Sequence, residues 1–276
     1  MNKKYWWAVG IVATSIFTLI ILIQKQALRF FQESETQWVT LAFEDKIKDT
    51  DYDYNDFIAE IKISEELPTR GLSKVHILIR AKAKMGGYRS GFFLNLNPGN
   101  QPAITGPFNG IIKRSSAHSA PTESAINSPL GIIEIFPDTS KAVELAAIVE
   151  IDLIAVAPSE NSPESDPLAR LRRYLFFLDV TDKLQNRYQI EAIQRSTSSL
   201  ANGTSTLPLA LIIPGTGWQI PKDRMSAYLV YPRLKQHVDY LQGLTTIDSP
   251  DWFSEISDPN LIETKEFLFK KNRPLR

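Results

Sequence analysis

Apolar positions recur along this chain in two rhythms. Residues 5–23 carry no charge and run from Tyr5, Trp6, Trp7, Ala8 and Val9 to Ile20, Ile21, Leu22 and Ile23. A helix rising 1.5 Å per residue would span roughly 28 Å over that run, close to the ~30 Å hydrocarbon core of a bilayer. Lys3 and Lys4 precede it; Lys25 and Arg29 follow it. A secretory peptide has a shorter apolar region and ends at a small-x-small pair. The sequence Gln24-Lys25-Gln26-Ala27-Leu28-Arg29 offers no convincing pair. The pattern predicts an uncleaved transmembrane signal anchor over residues 1–25 and a polar stalk over 26–37.

From Trp38 the apolar residues alternate with period two, the rhythm of a strand with one buried face. Val39, Leu41 and Phe43 alternate with Thr40 and Ala42, and residues 57–63 alternate again. Val75, Ile77, Ile79 and Ala81 alternate with His76, Leu78 and Arg80. Short strands are expected at 91–96, 132–136, 173–180 and 207–213. Residues 143–157 read as helix in the first half and strand in the second, where Val149, Ile151 and Leu153 share a face. Clusters rich in Ser, Pro, Asn, Thr and Gly at 158–167 and 196–206 mark turns. Many short strands with such punctuation predict a mainly β domain, a jelly-roll-like β-sandwich over residues 38–256. A charged tail follows over 257–276. One C-terminal helix is expected within 221–241, with Met225, Leu229, Leu234 and Val238 on one face and Pro232 interrupting it.

Composition changes this picture only by exclusion. The chain of 276 residues is 43% apolar and 22% charged, sufficient for a packed core. Its formal net charge is zero, which argues against a nucleic-acid partner. Cysteine is absent, so disulfides, thiolate metal sites, a cysteine nucleophile and lipoprotein acylation are all excluded. His76, His118 and His237 are far apart and form no HxxxH or HExxH spacing, so each reads as a surface or packing residue. No GxSxG frames a serine, and the glycine pairs lack a phosphate-binding lysine.

The chemistry concentrates between residues 44 and 57. Glu44, Asp45, Asp49, Asp51, Asp53 and Asp56 are opposed there only by Lys46 and Lys48. Oxygen ligands converging in a loop suit Ca²⁺, which takes six to eight of them. Asp49, Asp51, Asp53, Asn55 and Glu60 match EF-hand positions 1, 3, 5, 7 and 12. However, Tyr54 stands where the turn glycine belongs, and strands flank the loop, so an EF-hand is rejected. The candidate calcium ligands are Glu44, Asp45, Asp51, Asp53, Asn55 and Asp56. The competing reading is a solvated acidic loop whose Asp and Asn side chains cap turns through their own backbone. Tyr52, Tyr54 and Phe57 are expected to pack beneath it.

With those residues in view, the chain resembles the LruC domain family of bacterial envelope and surface proteins. Leu41-Ala42-Phe43-Glu44-Asp45, followed by residues 51–57 (DYDYNDF), is similar to the family's FED…DYDFND signature. Residues 207–214 (LPLALIIP), Ala227-Tyr228 and Asp251-Trp252-Phe253 are similar to its LPWAI…P, AYP and DWY segments. Gly86-Gly87-Tyr88 and Ser90-Gly91-Phe92 are similar to its GA…NGF segment. Leu209 replaces a usual Trp, and Val230-Tyr231-Pro232 interrupts the AYP pattern. The resemblance covers roughly residues 38–256 and implies an envelope location.

The expected function is a membrane-anchored, extracytoplasmic module in the periplasm or on the cell surface. It is held to the membrane by residues 5–23, it binds or supports an envelope protein or glycan, and calcium serves as folding cofactor. The alternatives are a glycan-directed hydrolase using acidic residues and an assembly component of a surface or secretion apparatus.

Overall fold

The computed structural model describes residues 38–47, 50–66, 73–96, 104–105, 108–128, 130–158, 174–192, 208–241 and 244–263. The expected anchor (1–25), the stalk (26–37) and most of the charged tail (264–276) lie outside the described residues. Among the described residues, no helix is long and apolar enough to cross a membrane.

The strands in chain order are β1 (Val39–Phe43), β2 (Phe57–Glu66), β3 (Ser73–Ala83), β4 (Arg89–Asn95), β5 (Ile104–Thr105), β6 (Phe108–Ser116), β7 (Ser119–Ser128), β8 (Ile132–Phe136), β9 (Ile148–Pro158), β10 (Leu175–Thr181), β11 (Arg187–Glu191) and β12 (Ala210–Pro214). All pairings are antiparallel. One sheet of eight strands runs β12-β1-β2-β3-β9-β6-β7, with β5 also on β9; a second, of four strands, runs β11-β10-β4-β8. This is the mainly β sandwich expected from the alternation, unequal in its two layers. Ile61, Ile77, Ile79 and Ile151 of the large sheet meet Phe92, Leu94, Phe176 and Leu178 of the small one in the main core.

Several elements differ from the periodicity, β5 and β11 among them, neither of which it marked. Residues 143–157 hold little helix: α1 (Thr139–Glu144) ends there, with Asp138 Oδ1 accepting from Ser140 N and Lys141 N as its cap. The expected C-terminal helix is two pieces, α2 (Ala227–Val230) and α3 (Leu234–Leu241). Pro232 lies between them, as its missing N–H requires. Residues 221–226 are not helical, and Leu229 is exposed rather than part of the buried stripe. The β6–β7 hairpin was not anticipated; residues 117–125 of it are exposed, so no apolar alternation marks them.

Residues 221–241 and 244–262 form a cap on the outer face of the large sheet. Ala42, Ile58, Leu211 and Ile213 of β12, β1 and β2 pack there against Ala227, Val230, Tyr231, Leu234 and Trp252. The sheet is therefore buried on both faces around β1, and all five β1 residues are buried. A strand covered on both faces loses its polar–apolar alternation, which is why Thr40 and Ala42 are as buried as their neighbours.

Candidate functional site

The acidic loop connects β1 to β2. Its base is the cross-strand pair Phe43 and Phe57. Both rings pack on Phe92 of β4, at 5.8 and 5.2 Å between centroids. The loop therefore starts and ends on the rigid core.

Tyr52 and Tyr54 adopt positive φ, 55° and 50°. This left-handed conformation costs an L-residue roughly 1–2 kcal/mol. Packing offsets the cost. Tyr54 is fully buried and its hydroxyl donates to Pro208 O at 2.7 Å. Tyr52 O accepts from Ala227 N at 2.8 Å, and its ring lies edge-on to Tyr228. With Phe57 they form the expected aromatic footing.

The acids are not solvated. Glu44, Asp45, Asp53, Asn55 and Asp56 are buried, and Asp51 is half-buried. They divide into two groups. Glu44, Asp51 and Asp53 each place one carboxylate oxygen so that all three lie within 4.8 Å of one another. Glu44 Oε1 accepts from Tyr54 N at 2.7 Å, and its Oε2 accepts from the Thr50 hydroxyl. Asp53 Oδ1 accepts from Asn55 N at 3.2 Å, and Oδ2 from Arg224 N at 2.7 Å. Burial pushes Glu44 up to about 7, against the hydrogen bonds from Thr50 and Tyr54, with the charges of Asp53 and Asp51 adding to the rise. Burial likewise pushes Asp53 up to about 6, helped by Asp51. Among the described residues, no Lys or Arg side chain forms an ion pair with this group.

Asp45 and Asp56 form the other group. Asp45 N donates to Asp56 Oδ2 at 2.7 Å. Asp45 Oδ2 accepts from Tyr88 N at 3.0 Å and from Lys84 Nζ at 3.3 Å, and Lys84 is itself almost wholly buried. A Cβ on Gly86 would stand 2.2 Å from Asp45 Oδ2 and 2.3 Å from Asp56 Oδ1, so the glycine backbone closes over both carboxylates. Burial raises the Asp56 pKa, and the charges of Asp45 and Glu44 raise it further. Asn55 reaches out of the loop, its Nδ2 donating to Pro221 O at 3.2 Å, while its buried Oδ1 accepts no hydrogen bond.

The structure thus parts the six candidate ligands. Glu44, Asp51 and Asp53 converge on one point, whereas Asp45 turns to Lys84 and Asp56 to the Asp45 backbone. Glu60, the last EF-hand match, sits on β2 and pairs with Lys82 at 3.1 Å. Asp49 and Lys48 lie outside the described residues. Asp53 accepts from Asn55 N, the kind of backbone cap the competing reading expects, and also belongs to the carboxylate triad. Residues not anticipated are Thr50, Lys84, Arg224 and Tyr188, whose hydroxyl donates to Asp45 O at 2.6 Å; only Gly86 and Tyr88 carried a signal, as part of the family resemblance. Two of the three histidines pair with acids: His76 with Asp152 and His237 with Asp248, each at 2.7 Å. Ser249 stands beside Asp248, but its hydroxyl donates to Gln236 Oε1, so these residues do not form a nucleophilic triad.

The chain matches no family model and no curated protein. Among solved structures it is similar to a candidate lipoprotein from Bacteroides ovatus, with a TM-score of 0.54 and 12% identity over 82% of this chain and 75% of that chain. At that identity the likeness shows a shared fold.

Proposed function

We propose that this chain is a membrane-anchored envelope module whose β1–β2 loop holds Ca²⁺ as a folding cofactor, and that the sandwich presents a binding or structural surface outside the cytoplasm. The observation that carries the calcium reading is the convergence of Glu44, Asp51 and Asp53. Ca²⁺ binds oxygen at 2.3–2.6 Å, so one ion reaches three oxygens lying within 4.8 Å of one another. The unpartnered Asn55 Oδ1 is a further buried oxygen of the same loop. Three crowded carboxylates repel one another, with Lys46 acting on Asp51 without forming an ion pair, and a divalent ion reverses the sign of that interaction.

The envelope location rests on the uncharged run 5–23 and is supported by the fold shared with a candidate lipoprotein. The LruC resemblance gains support from proximity. Its separate segments meet at the loop, through Leu209 O to Glu44 N, Pro208 O to the Tyr54 hydroxyl, Tyr88 N to Asp45 and Ala227 N to Tyr52.

Thermal melts of the full-length protein in EDTA and in millimolar calcium test the site. At a hundredfold excess over the dissociation constant, calcium stabilises by about 2.7 kcal/mol, and Asp53→Ala removes most of that gain. Identical wild-type curves overturn the calcium reading. Fractionation tests the anchor: the protein partitions with membranes and keeps Met1, whereas a soluble form starting near Leu28 identifies a cleaved signal peptide.

A further inference from the structure

We infer that the acidic loop is the latch of the C-terminal cap, so that residues 221–241 and 244–262 dock and open as one unit under the loop's control. The cap sits on the sheet through an apolar cluster, shared with Ala42, Ile58, Leu211 and Ile213, that is separate from the core between the sheets. It also has its own internal ties. Lys222 N donates to Leu261 O, Glu263 N to Ile220 O and Ser257 N to Val230 O, at 2.8–3.0 Å. Pro221 and Ile262 form a bridge that closes the segment on itself. A segment with local ties and a separate cluster has the makings of a cooperative unit that opens below the global unfolding free energy.

Three hydrogen bonds join this unit to the loop, from residues within one four-residue stretch. Tyr52 O accepts from Ala227 N, Asp53 Oδ2 accepts from Arg224 N, and Asn55 Nδ2 donates to Pro221 O. The Tyr52 and Tyr228 rings add an edge-on contact at 6.4 Å. All three bonds depend on the loop holding its left-handed turns. Asp53 is the pivot, because one of its oxygens holds the loop and the other holds the cap. Control of the latch by a cation rests on the calcium reading above; the latch itself rests on these bonds.

Native-state hydrogen exchange on the full-length protein tests it. In Asp53→Ala, amides of α2 and α3 exchange about tenfold faster or more, the loss expected for hydrogen bonds to a charged acceptor, while amides of β3 and β9 keep their rates. Cap and strand amides accelerating together, or neither changing, overturns the latch. Should that variant fail to fold, the wild type in rising sub-denaturing urea decides. Cap amides sharing one opening with a shallower urea dependence than β3 and β9 support it, and a single common opening overturns it. Calcium separates the two readings. Slowing of the cap amides supports control by the ion, slowing confined to 44–56 overturns that control, and no change anywhere overturns the calcium site while Asp53→Ala still judges the latch.

Discussion

The two carboxylate groups of the β1–β2 loop share a chain segment and differ in how their charge is met. Asp45 and Asp56 face Lys84, the Tyr88 amide and the closed backbone of Gly86. Glu44, Asp51 and Asp53 face backbone amides and the Thr50 hydroxyl, without an ion-paired cation among the described residues. The first group is the more finished of the two, with a buried counter-charge in Lys84, although Asp45 Oδ1 accepts no hydrogen bond. The second, the less finished, has oxygens gathered and no ion-paired counter-charge among the described residues. Burying a charge is costly unless it is paired, so the contrast locates where an external cation would change stability and where it would not.

The largest effect expected tests the finished side. Lys84→Met leaves Asp45 buried without its counter-charge, and breaking a buried pair costs about 3–5 kcal/mol. Urea unfolding measures it, and calcium is not expected to restore the loss. Recovery in calcium would break the comparison, because the ion would then be serving Asp45 and Asp56. Gly86→Ala forces a methyl against the same two carboxylates, and overpacking of this kind costs about 1–3 kcal/mol. Here too the loss should be the same with and without calcium.

The unfinished side is sharpened by pH. Glu44 and Asp53 have folded pKa values above those of the unfolded chain, about 7 and about 6. Asp56 on the other side is raised as well, so the native state binds more protons than the unfolded state from about pH 4 to about pH 7 and above, and stability falls as pH rises through that window. In EDTA, the melting temperature should decline from pH 5 to pH 8. Calcium should flatten that decline, and its binding should release protons at pH 6, measurable by calorimetry in buffers of different ionisation enthalpy. Asp51→Asn should weaken calcium binding while leaving the EDTA protein as stable or slightly more so, since it removes one of three repelling charges. A large loss of stability in EDTA would mean that Asp51 is a structural cap instead.

Legibility in the sequence followed burial pattern. Strands with one buried face, such as β3 and β8, announced themselves by alternation, and Pro232 marked the break between α2 and α3. The exposed tip of the β6–β7 hairpin lacks that signal. The acidic loop was legible as a cluster and its aromatic footing as interleaved tyrosines. Its division into two groups was not, because that depends on Lys84 and Gly86, which follow β2 and β3 in the chain and come near only through pairing of those strands. Arg224 was equally hidden, since it contributes a backbone N–H that any residue but proline supplies.

That last residue gives the smallest and most specific test. Arg224 sits at φ 64° in the turn that leads into α2, and its side chain is exposed. Glycine adopts this conformation without the clash of Cβ against the following carbonyl. Arg224→Gly keeps the N–H that binds Asp53 and should relieve up to about 1 kcal/mol of strain, part of it offset by the greater freedom of glycine in the unfolded chain. The expected result is a melting temperature equal to or a few degrees above wild type, with an unchanged calcium response. An unchanged response means that only the backbone of residue 224 serves the loop. A response altered several-fold would show the guanidinium acting on the carboxylate triad, which would erase the difference between the triad and the Lys84 side, because each would then hold its own cation.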